Sequence, residues 1–257
     1  MELGPLHWSV EQLIWAGFVF FGGLLIVFRG WWIELLGLLG IYGLLCLLLS
    51  RFPFMLPDLQ MGPLVLSRVI LAQAATGLTI VAVLAVTIAV RRRVTLEMQP
   101  PLDEVTEARL RWTAWRTARL GRGQRFRLAA YLFPVFAFAV LVLAAHGLAL
   151  VYPVVRRPGA PDGLLWGYVD LVWYWLGLAG LLTVLLAQEM HEVSVGLLLC
   201  WSSVTLLYIA LSRTIGLLAL GLLSAVAILM GLGSAYLALL FYLRLRRWRL
   251  PSAEEWE

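Results

Sequence analysis

The sequence predicts an all-α integral membrane protein with about seven transmembrane helices, and three observations carry that prediction. Of 257 residues, 62% are hydrophobic and only 14% are charged, whereas a soluble domain carries roughly 25% charged residues. Mean hydropathy is +0.89. The apolar residues gather into runs of the ~20 residues that a helix needs to cross the hydrocarbon core of a bilayer. A soluble globular domain, a disordered chain and a disulfide scaffold are thereby excluded.

The runs lie at roughly 8–28, 31–50, 64–90, 129–151, 163–187, 192–211 and 214–243. The first follows Met1-Glu2-Leu3-Gly4. That start is acidic where a signal peptide is basic, and the run exceeds a signal-peptide core, so a retained span is expected. Residues 51–63 separate the second and third runs. Their prolines (Pro53, Pro57, Pro63) and mixed polarity predict an ordered loop at the membrane surface. Residues 91–128 hold ten arginines against four acidic residues. There Asp103 is placed to cap a helix running to about Leu120. Asp103, Glu104 and Glu107 at its start, with Arg116 and Arg119 in its last turn, suit the helix dipole. Val105, Ala108, Trp112 and Trp115 share one face. Such a helix either lies on the membrane surface or packs as a loop helix on a partner subunit.

All twenty basic residues are arginine, and the net charge is +5. They sit between and after the apolar runs, so they are read as topology signals and contacts to anionic lipid, not to nucleic acid. Placing the 91–128 connection and the tail arginines (Arg244, Arg246, Arg247, Arg249) in the cytoplasm puts fifteen arginines inside and five outside. Seven spans then set the N-terminus outside and the C-terminus inside, and the expected location is the plasma (inner) membrane.

The chain also carries an internal repeat. Leu66-Ser67-Arg68-Val69-Ile70 matches Leu211-Ser212-Arg213-Thr214-Ile215, and Gly37-Leu38-Leu39 matches Gly196-Leu197-Leu198. Glu11 and Asp170 lie early in the first and fifth runs. The reading is two parallel three-helix units, spans 1–3 and 5–7, joined by the fourth span, an arrangement known from transport proteins. It divides the chain into a first unit (1–93), a basic cytoplasmic connection (94–128), a linking span (129–151), a second unit (152–249) and a tail (250–257).

Ala72-Gln73-Ala74-Ala75-Thr76-Gly77-Leu78, the closing Arg91-Arg92-Arg93, and Arg29 followed by Gly37-Leu38-Leu39 resemble the small K subunit of bacterial complex I and the C subunit of Mrp-type antiporters. Two such units in one chain are similar to component E of hydrogenase-4-type complexes. The resemblance covers about residues 8–93 and 165–247. It implies a membrane subunit working beside antiporter-like partners. It also implies glutamates at the positions of Leu39, Leu198 and Gln73, with Leu218 as the repeat partner of Gln73. None of these side chains carries a proton. The implied role is therefore accessory or coupling, with proton movement left to partners.

Charges inside a bilayer default to functional hypotheses. The candidate intramembrane polar or coupling residues are Glu34, Arg68, Gln73, Asp170, Glu192 and Arg213. Arg68 and Arg213 either snorkel to head groups or pair with Asp170 or Glu11. Glu34 is expected near Glu189, His191 and Glu192 at the inner end of the bundle, either as a proton-accepting cluster or as plain interfacial loop. Trp112, Trp115, Arg116 and Arg119 mark the surface helix. His191-Glu192 lacks the second histidine of a zinc-hydrolase motif, since Val195 stands there. Cys46 and Cys200, the only cysteines, form no CxxC. No metal and no cofactor is expected. His146 is read as a packing residue. Tryptophans near span ends, including Trp15, Trp173 and Trp175, are read as interface anchors, and Gly37, Gly40 and Gly43 as a face for close helix contact. Two other functional classes compete with the accessory subunit. One is a self-sufficient transporter or permease with a cavity built from Glu34, Arg68, Gln73, Asp170 and Arg213. The other is an intramembrane lipid enzyme using Ser202, Ser203 and His191.

Overall fold

A computed structural model describes residues 9–28, 30–51, 59–61, 64–97, 124–155, 163–187, 190–212 and 216–245. Within them are seven long helices: α1 (Val10–Val27), α2 (Trp31–Leu49), α3 (Arg68–Glu97), α4 (Gln124–Val151), α5 (Gly163–Leu186), α6 (Met190–Leu211) and α7 (Leu217–Leu245). Each contains a stretch long and apolar enough to cross a membrane. The protein is a seven-span, multi-pass helical membrane protein. The surface helix expected at 103–120 lies outside the described residues, and with it Trp112, Trp115, Arg116 and Arg119.

The start of the third span is displaced from its expected position. Residues 64–66 pair antiparallel with 59–61 as two short strands, Leu59 opposite Leu66 and Met61 opposite Leu64. The Leu64-Val65-Leu66 run is thus apolar because it is a strand, and the span proper runs from Arg68 to Val90. An apolar triplet next to a helix start is ambiguous by periodicity alone. The entry to α1 is sharply defined. Ser9 Oγ accepts from Gln12 N at 3.3 Å while Gln12 Oε1 accepts from Ser9 N at 3.0 Å. This reciprocal cap satisfies two backbone donors at the helix end.

The helices pack as a ring. α1 lies on α2, α2 on α3, α3 on α7, α7 on α6, α6 on α5 and α5 on α1, and α4 is laid against α1 and α5. About half of the α2, α5 and α6 spans is buried, but only 17% of the α4 and α7 spans. The core therefore sits among α1, α2, α5 and α6, where Phe18, Ile41, Leu48, Trp175 and Leu176 are fully enclosed. Trp175 is a core residue, not an interface anchor. Its indole Nε1 donates to the Phe18 carbonyl at 3.1 Å, joining α5 to α1.

Glycines set the closest crossings. A Cβ on Gly196 would meet the Gly180 carbonyl at 2.7 Å, and one on Gly37 would meet the Phe21 carbonyl at 3.4 Å. Gly37 and Gly196 are the pair matched in the sequence, and Phe21 and Gly180 precede them by the same interval. The α1–α2 and α5–α6 crossings thus fall at corresponding positions. Two members of the expected glycine face make contact: Gly37 against Leu25 and Gly40 against the Phe21 ring. Gly43 has nothing within 4 Å.

Candidate functional site

Polar side chains collect at the end of the bundle where α1 and α5 finish and α2 and α6 begin. Glu34 lies in the first turn of α2, where a carboxylate suits the helix dipole. His191 and Glu192 open α6, also in its first turn. The ring brings these starts together. His191 Nε2 is 3.0 Å from Glu34 Oε2, with side chains 17% and 7% exposed. At that distance the two form an ion pair when the imidazole is protonated. Glu34 Oε2 has no hydrogen-bond partner among the described residues. A cavity of about 20 Å³ adjoins the pair, lined by Glu34, Thr183, Leu186, Glu192 and Val195 together with Leu25 and Ile26 of α1. This is room for about one water molecule.

The sequence places Glu34, His191 and Glu192 at the same end, where Glu34 and Glu192 line one small cavity and His191 pairs with Glu34; Glu189 lies outside the described residues. Thr183 was not anticipated. Its hydroxyl is visible only as a polar step in the last turns of α5, and it donates to the Ala179 carbonyl at 2.7 Å. Among the described residues, no three His, Cys, Asp or Glu side chains are disposed to hold a metal ion.

Asp170 belongs to the opposite end and does a different job. It is completely buried. Oδ1 accepts from the backbone N–H groups of Val154 and Val155 at 3.1 and 2.9 Å, and from Trp173 Nε1 at 3.1 Å. Its carboxylate organises the turn that follows α4. Trp173, expected as an interface anchor, is one of its donors.

Neither Arg68 nor Gln73 joins either group among the described residues. Arg68 begins α3, and its Nε is buried without a hydrogen-bond partner among the described residues. Gln73 is half-buried one turn further along, with no hydrogen bond to a described residue. Arg213 lies outside the described residues. The shared cavity of Glu34, Arg68, Gln73 and Asp170 that a self-sufficient transporter requires is thus not assembled by the described residues.

Deeper in the α2–α6 contact, Tyr42 meets Ser202. The Ser202 hydroxyl donates to the Leu198 carbonyl at 2.8 Å, and the Ser203 hydroxyl to the Trp173 carbonyl at 2.6 Å. His191 lies about 17 Å away along the helix, at 1.5 Å per residue. These serines satisfy backbone carbonyls and have no base beside them. Comparison of the chain with protein-family profiles, curated proteins and solved structures returns no match.

Proposed function

We propose that the chain is an accessory, coupling membrane subunit of a multisubunit ion-translocating assembly in the plasma membrane, of the complex I, group-4 hydrogenase or Mrp type. Its partners would be antiporter-like membrane subunits, with anionic lipid held at its basic connection. The observation that carries this reading is the contrast between the two depths of the α2–α6 contact. At one end stands a titratable pair, Glu34 and His191, beside a water-sized cavity. Beyond it the centre is filled by Leu38, Ile41, Leu45, Leu198 and Leu199, each 1% exposed or less. Beyond the pair α2 and α6 carry no further carboxylate or histidine, and the Ser202 and Ser203 hydroxyls there are spent on backbone carbonyls. The pair is suited to sense or relay charge at the membrane face, while transport itself falls to partner subunits.

The positions at which the resemblance implies carboxylates agree with this division. Leu198 is in the core, while Leu39 and Leu218 face outward at 45% and 78% exposure. These three are apolar, and Gln73, the remaining position, is an amide that does not titrate, so the chain offers no proton carrier there.

The test compares two preparations. The chain purified alone and reconstituted in liposomes is expected to give no gradient-driven flux above protein-free vesicles. The assembly purified in mild detergent from its native membrane is expected to contain antiporter-like subunits. In that assembly Glu34→Gln should reduce coupled ion transport several-fold while subunit composition stays unchanged. Gradient-dependent uptake by the isolated chain would overturn the proposal in favour of a transporter.

A further inference from the structure

A groove of about 1060 Å³ lies between α1 and α4. Its existence follows from how the two helices meet. α4 packs on α1, and Gly23 lets the Phe138 ring approach to where a Cβ would stand 2.8 Å away. The floor is built in advance. Trp15, Trp175 and Phe138 form an edge-to-face series, with centroids 6.0 Å and 5.6 Å apart, and the Trp175 indole is tied to the Phe18 carbonyl. Such a floor needs no rearrangement to receive a ligand.

The polarity of the groove is graded along its length. Its lining reaches from Gln12 to Phe28 on α1, about 24 Å at 1.5 Å per residue. That exceeds the ~15 Å of one leaflet of a ~30 Å hydrocarbon core. Most of this length is apolar, including Val19, Phe20 and Val135. The polar groups Gln12, Trp15, His146 and Tyr168 all lie at the end where α1 begins and α4 finishes. Among the described residues, none that lines the groove is charged.

His146 supplies the specificity. Its Nδ1 is 3.1 Å from the Val142 carbonyl. A carbonyl only accepts, so Nδ1 carries the proton and, in the neutral ring, Nε2 is an acceptor. The ring is held edge-to-face on Trp15 at 5.3 Å. Nε2 has no partner among the described residues, so the histidine read from sequence as a packing residue keeps one unused acceptor at the mouth of an apolar channel.

We propose that this groove binds a long-chain amphiphile whose head is an uncharged hydroxyl, such as a long prenyl alcohol or a prenylated quinol. The hydroxyl donates to His146 Nε2, and the tail lies along α1 over the aromatic floor. An anionic phospholipid finds no cation among the described lining residues. The proposal is independent of the accessory-subunit reading.

The test uses the full chain in mild detergent and two diazirine-bearing probes, a long-chain prenyl alcohol and its methyl ether, which lacks the donor proton. The alcohol is expected to label α1 and α4 and to be preferred to the ether by about five- to tenfold, the value of one hydrogen bond. His146→Phe should abolish that preference while leaving labelling by the ether intact. Ala16→Trp, at an exposed lining position, should suppress labelling by both. Equal labelling by alcohol and ether in the unaltered chain would overturn the proposal, and so would displacement of the probe by phosphatidylglycerol. Lipid extracted with the native chain should be enriched in a prenyl alcohol or a quinol, which also tells these two sources apart. Extraction of bulk phospholipid alone, or a protein crosslinked through position 16, would count against it.

Discussion

Asp170 shows how a buried charge is recognised as important from sequence while its backbone donors are not. Its depth in an apolar run marks it as costly, and the obvious partner in a list of residues is an arginine. The donors the structure supplies include two backbone N–H groups, 15 and 16 positions away in the turn after α4. Backbone donors have no sequence signature, so this part of the site was not legible. Glu34 and His191 were, because both sit beside short connections at the same end of the bundle. Asp170→Ala would leave one buried and two part-buried donors without their acceptor. At roughly 1 kcal/mol or more for an unsatisfied buried group, and less where water reaches the donor, the loss is about 1–3 kcal/mol. Asp170→Asn keeps an acceptor oxygen and loses only the charge assistance, so its cost should be about half as large. Thermal unfolding in detergent measures both. If Asp170→Ala melts with the unaltered chain, the carboxylate does not organise the turn.

Among the elements, the tightest contact is α5 on α6, and its cause is a pair of facing glycines. The Gly180 Cβ position is 2.6 Å from the Gly196 carbonyl and 2.7 Å from the Cys200 nitrogen. Backbone cannot move aside as a flexible side-chain tip can. Gly196→Ala is therefore expected to push the helices apart at a cost of about 1–3 kcal/mol, the range for overpacking a filled interior. Gly43→Ala is the internal control. Its Cβ meets nothing within 4 Å, and alanine is favoured over glycine in a helix by up to ~1 kcal/mol, so this variant should be neutral or slightly more stable. Equal effects of the two substitutions would remove the crossing from the account. The existence of small-residue faces was legible from spacing. Which glycine of a row meets a neighbour was not, because spacing defines a helix face and tertiary packing decides what lies opposite it. The same limit bears on Trp175, which stands at the middle of the predicted 163–187 span and which the rotation of α5 carries into the core.

At the scale of the molecule, the number of spans was legible because each crossing must bury ~20 residues in hydrocarbon, a demand that composition alone reveals. The ring order was not, since apolar faces carry little information about partner choice. Orientation rests on charge. Fifteen arginines fall on the side of the 91–128 connection and five on the other, and the excess of basic residues is expected to stay in the cytoplasm. This places the Glu34–His191 pair at the cytoplasmic face and the polar mouth of the α1–α4 groove at the outer face. Single cysteines test the assignment on a background in which Cys46 and Cys200 are replaced by serine. Both native thiols are half-buried weak donors to backbone carbonyls, so serine keeps a donor at each place. Arg51 follows α2 and is exposed, while Ala187 follows α5 at the opposite end. A membrane-impermeant maleimide added to intact cells should label Arg51→Cys directly and Ala187→Cys only after permeabilisation. The inverted pattern would place the Glu34–His191 pair on the outside, where it would meet the external rather than the cytoplasmic proton pool, and the proposed coupling role would then require partner subunits that deliver charge from that side.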